Sequence, residues 1–139
     1  MTAASDFLEN KILDHVLKNT AYSQPSALYL ALFNNTSGNA STNLEAGTLT
    51  DEVSTSGTAY ARKSISFSAA VAGTAASSGT VLFDTATASW GTITHVAIMD
   101  GSTRGAGNVL FWGAVTTAKS IDTGDSFQVT AGNLTITLA

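Results

Sequence analysis

The sequence predicts a mainly β protein, an antiparallel β-sandwich of seven to eight strands preceded by one N-terminal amphipathic helix. Three observations predict it. Short apolar runs alternate with Thr, Ser and Gln along most of the chain after residue 26, turn residues separate those runs, and a three- and four-residue apolar period occurs only near the N-terminus. With 139 residues and neither a repeat period nor a heptad run, the expected organisation is a single domain over 1–139. It divides into an N-terminal helix at 1–20 and a sandwich at 26–139 with a long loop at 34–57.

The helix is read from Leu8, Ile12, Leu13, Val16 and Leu17. Asp6 stands where it can cap the first amides, Glu9 completes a capping-box spacing, Asp14 and Lys18 form an i, i+4 pair, and Asn19 with Pro25 marks the stop. A helix with one apolar stripe must bury it, either on the β-domain or on a neighbouring subunit. Ser26 to Phe33 reads as a buried strand. Residues 34–57 turn polar, with the acidic cluster Glu45, Asp51 and Glu52 and only Leu44, Leu49 and Val53 as apolar anchors; a loop of that length is usually functional or mobile, which makes it the expected contact loop.

Thr58 to Phe67 alternates and predicts a strand whose wet face holds Tyr60, Arg62, Ser64 and Ser66. Residues 69–79 read as a small-residue linker and 81–83 as a short strand. The longest signal follows at residues 90–114, two strands around a glycine-rich turn. Alternation puts Ile93, His95, Ala97 and Met99 on one face and Thr94, Val96 and Ile98 on the other, so both faces are apolar and the hairpin belongs at the centre of the fold. Residues 114–120 read as a connection, Asp122 to Asp125 as a turn through Gly124, and 126–129 and 134–138 as two further strands.

Composition excludes several classes of function. Hydrophobic residues make up 44% of the chain and charged residues 12%, about half the charged share of an average soluble domain. Such a hydroxyl-rich, weakly charged surface suits a protein that buries itself against neighbours. Six Lys and Arg against a net charge of −4 leave no basic stripe for nucleic acid. The absence of cysteine removes disulfides, thiolate metal sites and a cysteine nucleophile. No basic segment leads an apolar run at the N-terminus, and no stretch reaches the roughly 18–20 apolar residues of a membrane span, so the expectation is a soluble chain made in the cytosol, with no membrane partner.

Residues with chemical potential have structural readings as well. His95 has apolar neighbours and no carboxylate at a ligand spacing, which favours a structural role satisfied by a backbone or hydroxyl partner; His15 reads as solvated or at an interface. A Ser-His-Asp arrangement is assembled in space and stays open, but no Gly-x-Ser-x-Gly elbow is present, so no catalytic residue is assigned and no enzyme is expected. The acidic loops lack the alternating oxygen ligands of a calcium site and read as solvated turns, and the glycine-rich turn joins two strands rather than opening a helix. No metal or cofactor is expected. Trp90 and Trp112 read as core or interface residues, with sugar stacking the lesser alternative.

Several segments together resemble a known family. They are Ser5-Asp-Phe-Leu-Glu-Asn-Lys-Ile-Leu-Asp-His-Val-Leu, Ser26-Ala-Leu-Tyr-Leu-Ala-Leu-Phe, Tyr60-Ala-Arg, Ala88-Ser-Trp-Gly-Thr-Ile-Thr-His-Val-Ala-Ile, and Gly124-Asp-Ser-Phe followed by Ala131-Gly-Asn-Leu-Thr-Ile. In this order they resemble small virion structural proteins of tailed bacteriophages, described as tail-fibre-like or head decoration proteins. The resemblance implies a place in the virion, assembled in the host cytoplasm. Two roles follow from it. The first expectation is a capsid decoration or cement protein that binds the outer head surface and stabilises the shell; the alternative is a tail-fibre or tail-tip component contributing to attachment through a receptor or glycan. Implied partners are the major capsid protein or other virion proteins and further copies of the chain, a trimer being one such form. Candidate partner-binding residues are Leu8, Ile12, Val16 and Leu17 on the helix and Leu44, Leu49 and Val53 in the loop.

Overall fold

The computed structural model describes residues 3–138. The protein is mainly β, and all its sheet pairings are antiparallel. In chain order the elements are β1 (Ala3–Ala4), α1 (Asp6–Leu17), β2 (Leu28–Phe33), α2 (Ala40–Glu45), β3 (Lys63–Ile65), β4 (Thr74–Ala76), β5 (Val81–Leu82), β6 (Gly91–Met99), β7 (Val109–Ile121), β8 (Gln128–Val129) and β9 (Thr135–Thr137). A five-stranded sheet runs in the order β1-β7-β6-β2-β3, and β4-β9 and β5-β8 form two short ribbons. The hairpin of β6 and β7 therefore holds the middle of the main sheet. The last two strands do not pair with each other: β8 joins β5 and β9 joins β4, whose residues lie in the segment read above as a linker.

The main sheet is buried on both faces, as its two-sided apolar strands require. On one face Leu30, Leu32, Val96, Ile98 and Leu110 share a core with Val81, Phe83, Phe127, Leu134 and Ile136, so the ribbon segments form the opposing layer. On the other face Ala31, Phe33, Ala97, Met99 and Val109 are covered by Leu44 of α2, with Leu49 and Trp112 beside them.

Strict alternation along β6 fails at one point. Only Thr94 separates Ile93 from His95, while four residues, 115–118, separate their partners Lys119 and Ala114 on β7. The extra residues disrupt the ladder and re-aim the side chains next to it. Ile93 consequently joins Val96 and Ile98 in the ribbon-covered core, instead of sharing the face of Ala97 and Met99. A second shift leaves Leu110 unpaired between Val109 and Phe111, and both Leu110 and Phe111 pack on the ribbon side. The segment 114–120, expected as a connection, is the continuation of β7.

Candidate partner-binding surface

The N-terminal helix is fixed at its beginning. Its N-cap is Ser5, whose side-chain oxygen accepts from the Leu8 amide at 3.4 Å; Asp6 is the first helical residue, so the capping-box spacing from Asp6 to Glu9 goes unused. The Ser5 hydroxyl also donates to the Val109 carbonyl, and its amide donates to Leu110 O at 3.0 Å. Together with β1, which pairs Ala3 with Trp112 and Ala4 with Phe111, these bonds staple the helix start to β7. Leu8 is buried and Phe7 and Ile12 are half-buried against the main core. Asn19 ends the helix as its sequence position suggests, at φ 53°, and Thr20 N donates to Asp14 O at 3.1 Å.

Beyond Ile12 the apolar stripe is uncovered, although His15 Nδ1 accepts from Tyr22 N at 3.1 Å on another side of the helix. Leu13, Val16 and Leu17 are 54%, 69% and 78% exposed. Leu13 also borders a groove of about 590 Å³ lined by Ala3, Ala4, Glu9, Ile12, Thr137 and Leu138. Towards the start of α1 the surface turns acidic. Carboxylate oxygens of Asp6, Glu9 and Glu45 lie within 4.8 Å of one another, and Glu45 accepts from Trp112 Nε1 at 2.6 Å. Asp6, Glu45 and Trp112 border a shallow depression with Ser41, Thr42 and Ala46.

The loop at 34–57 behaves differently from its sequence reading. Leu44 and Val53 are fully buried and Leu49 is half-buried: α2 lays Leu44 on one face of the sheet, the Val53 amide donates to Leu32 O at 3.1 Å and its side chain joins the main core, so Leu44 and Val53 offer a partner no free surface. The acidic residues of the loop are not solvated turns either. Asp51 and Glu52 are each 2% exposed. Asp51 accepts from Ser37 N at 2.8 Å, Ser37 Oγ at 2.6 Å and Thr36 Oγ1 at 3.2 Å. Burial alone would raise the Asp51 carboxyl, but these hydrogen bonds outweigh it and hold it below the usual range.

Glu52 is the centre of a buried polar lock. Arg62, read above as facing water, has a fully buried side chain and grips Glu52 bidentately at 2.7 and 2.8 Å. Tyr60 Oη donates to Glu52 Oε1 at 3.1 Å and accepts from Leu32 N at 3.0 Å; its burial and the Glu52 charge push the phenol far above its ordinary value. The lock reaches the glycine-rich turn, since Arg62 Nη1 donates to the Gly101 and Ala106 carbonyls and Gly105 N donates to Glu52 Oε2 at 2.7 Å. Arg104 closes it from outside, donating to the Glu52 and Val53 carbonyls. Gly107 suits this turn because its φ of 81° lies in the left-handed region that side chains rarely adopt. Within the Tyr60-Ala-Arg and glycine-rich segments nothing reveals this pairing, because Glu52 and Arg62 meet only through the fold.

His95 and the tryptophans sit where packing places them. Trp90 is 2% exposed and donates from Nε1 to Thr58 O at 2.8 Å. Its ring meets Tyr60 and Phe83 edge-on, and Phe83 meets Phe127 in the same way. The buried His95 contacts two hydroxyls, Ser41 Oγ at 3.0 Å from Nε2 and Thr94 Oγ1 at 2.8 Å from Nδ1. Burial lowers its basicity, an effect that the Asp51 charge opposes only in part. Ser41, His95 and Asp51 form no relay, since Nδ1 is held by Thr94 and Asp51 by Ser37 and Thr36.

Of the residues expected to touch a partner, the structure leaves Val16 and Leu17 at the surface and turns Leu8 and Ile12 inward. Leu13, the third exposed member of the stripe, belongs with Val16 and Leu17 by helical spacing. Among the described residues no helix is long and apolar enough to cross a membrane. A family model described as Podophage GP4 fiber I protein gp80 matches residues 3–137. No curated protein matches the chain.

Proposed function

The chain belongs to this family of phage virion structural proteins, and on that premise we propose that it is a structural component of the tail fibre with no catalytic role. The observation that carries the reading is the family match over residues 3–137, whose description is of a fibre protein. It moves the proposed position away from the head surface, the first expectation from the sequence. The molecule is suited to such a role: the centre of the main sheet is covered on both faces, the long loop is pinned by a buried ion pair, and the titratable core groups are spent on internal contacts. In this reading the projecting half of α1 is the attachment element.

Localisation on the particle tests the proposal. Gold-labelled antibody against this chain, applied to purified virions and viewed by electron microscopy, should mark the fibres. Labelling distributed over the head would replace the fibre assignment with the decoration role, and unlabelled particles that also lack the chain by mass spectrometry would remove both.

A further inference from the structure

The outer face of α1 has two halves of opposite character. Leu13, Val16 and Leu17 lie at three- and four-residue spacing with most of their surface in water, and they continue into the groove bordered by Leu138, itself 55% exposed. Contiguous apolar surface of this kind marks an interaction site rather than scattered exposure. At the other end of the same face stand Asp6 and Glu9, with Glu45 of α2 against them. Among the described residues the ion pairs are Arg62 with Glu52 and Lys63 with Asp84, so no Lys or Arg described there answers these three carboxylates.

We propose that this face docks a segment of a different virion polypeptide, one in which a Lys or Arg stands beside aliphatic side chains. The aliphatic groups cover Leu13, Val16 and Leu17, and the cation lies against Glu9 and its two neighbours. Charge decides the occupant. A second copy of this chain brings a net charge of −4 and few cations to spend. Arg62 is buried in its pair, Arg104 is committed to backbone carbonyls, Lys63 is held by Asp84, and Lys11 lies over the Phe7 ring. Lys119 is exposed, but it stands near the far end of β7 from Trp112, roughly 20 Å along the strand, so a copy docking by this same face does not bring it to the carboxylates. Lys18 lies across the helix from Glu9 by the hundred-degree step of an α-helix, and so points away from the stripe.

This inference rests on the reading of the chain as a virion component. It is tested in assembled particles carrying a photo-crosslinking amino acid at position 17, with the crosslinked peptide identified by mass spectrometry. The expected product joins position 17 to another virion protein, at a segment with Lys or Arg within about one helical turn of the crosslink. Glu9→Lys and Leu17→Ser should each lower incorporation into particles roughly tenfold, the scale of a broken interfacial charge pair or lost anchor. Both should leave the melting temperature of the purified protein unchanged. A crosslink to a second copy, a crosslinked segment without a base, or full incorporation of both variants overturns the inference. If the unmodified chain is present in particles and position 17 captures nothing, the docking face falls while the virion role stands. A chain absent from purified particles overturns both.

Discussion

The two faces of the main sheet are covered in different ways. One cover is made of strand ribbons and is mainly apolar, with Phe83 meeting Trp90 and Phe127 edge to face in one core with Leu30, Leu32 and Ile98. The other is a loop with one short helix, and it combines a small apolar cluster around Leu44 with directed polar contacts through Asp51, Glu52, Arg62 and His95. Apolar contact is non-directional, so it can hold a regular ribbon that already satisfies its own backbone. A loop has no ladder to spend its amides on, and its position must be set by specific bonds to carbonyls and carboxylates. The loop cover should therefore be the brittle side of the molecule.

Breaking the lock gives the largest expected effect on that side. Glu52→Ala strands the buried Arg62 charge and should cost about 3–5 kcal/mol in denaturant unfolding; a loss below about 1 kcal/mol would mean that Arg62 finds water and that the lock is not closed. Leu44→Ala removes the apolar anchor of α2 and should cost about 2–5 kcal/mol by the same measurement. The comparison is sharpened if Glu52→Ala exposes the loop to limited proteolysis while Leu30→Ala, under the ribbons, destabilises the molecule without a preferred cleavage site. Tyr60→Phe removes the hydroxyl that serves both Leu32 N and Glu52, leaving a buried amide unpaired at a cost of about 1–3 kcal/mol.

Acid should act on the loop cover first. His95 has a depressed folded-state pKa, so the unfolded chain binds its proton more readily. Its contribution is fully present above the unfolded value near 6.5 and is lost as pH falls from there through the folded value. Asp51 is also depressed, so its contribution is present above the unfolded value of 3.8 and is lost as pH falls further through the folded value. Melting followed between neutral pH and pH 5 should show a fall in wild type that is smaller in His95→Gln; equal slopes would assign the fall to other groups. The smallest effect belongs to neither cover: Leu17→Ser on the free half of α1 should change stability by no more than about 0.5 kcal/mol in the same denaturation assay.

Local pattern was enough for the elements whose chemistry is local. The apolar runs at 28–33 and 91–99, the helix over Asp6–Leu17 with its stop at Asn19, and the turn through Gly124 all follow from apolar patterning and turn preference among near neighbours. The same patterning misassigned Ile93, since the shift that re-aims it arises from extra residues on the neighbouring strand. It also missed α2, whose Ala40 and Leu44 are too few to show a helical stripe but suffice once a sheet lies beneath them.

What the sequence by itself determined is the mainly β class, the central place of residues 90–114 and the one long helix, together with a composition poor in charge and free of cysteine. Only the tertiary structure decided which polar residues lie inside and which apolar residues lie outside. Glu52 and Arg62 read as wet because each is polar in its own segment, and they are buried because the chain brings them to 2.7 Å of each other. Leu13 and Leu17 share one stripe with Leu8 and Ile12, which the period alone leaves to pack on the β-domain or on a neighbour, and they are exposed because only its first half, around Leu8 and Ile12, packs on the core. Burial belongs to pairs of segments, and no single segment carries it.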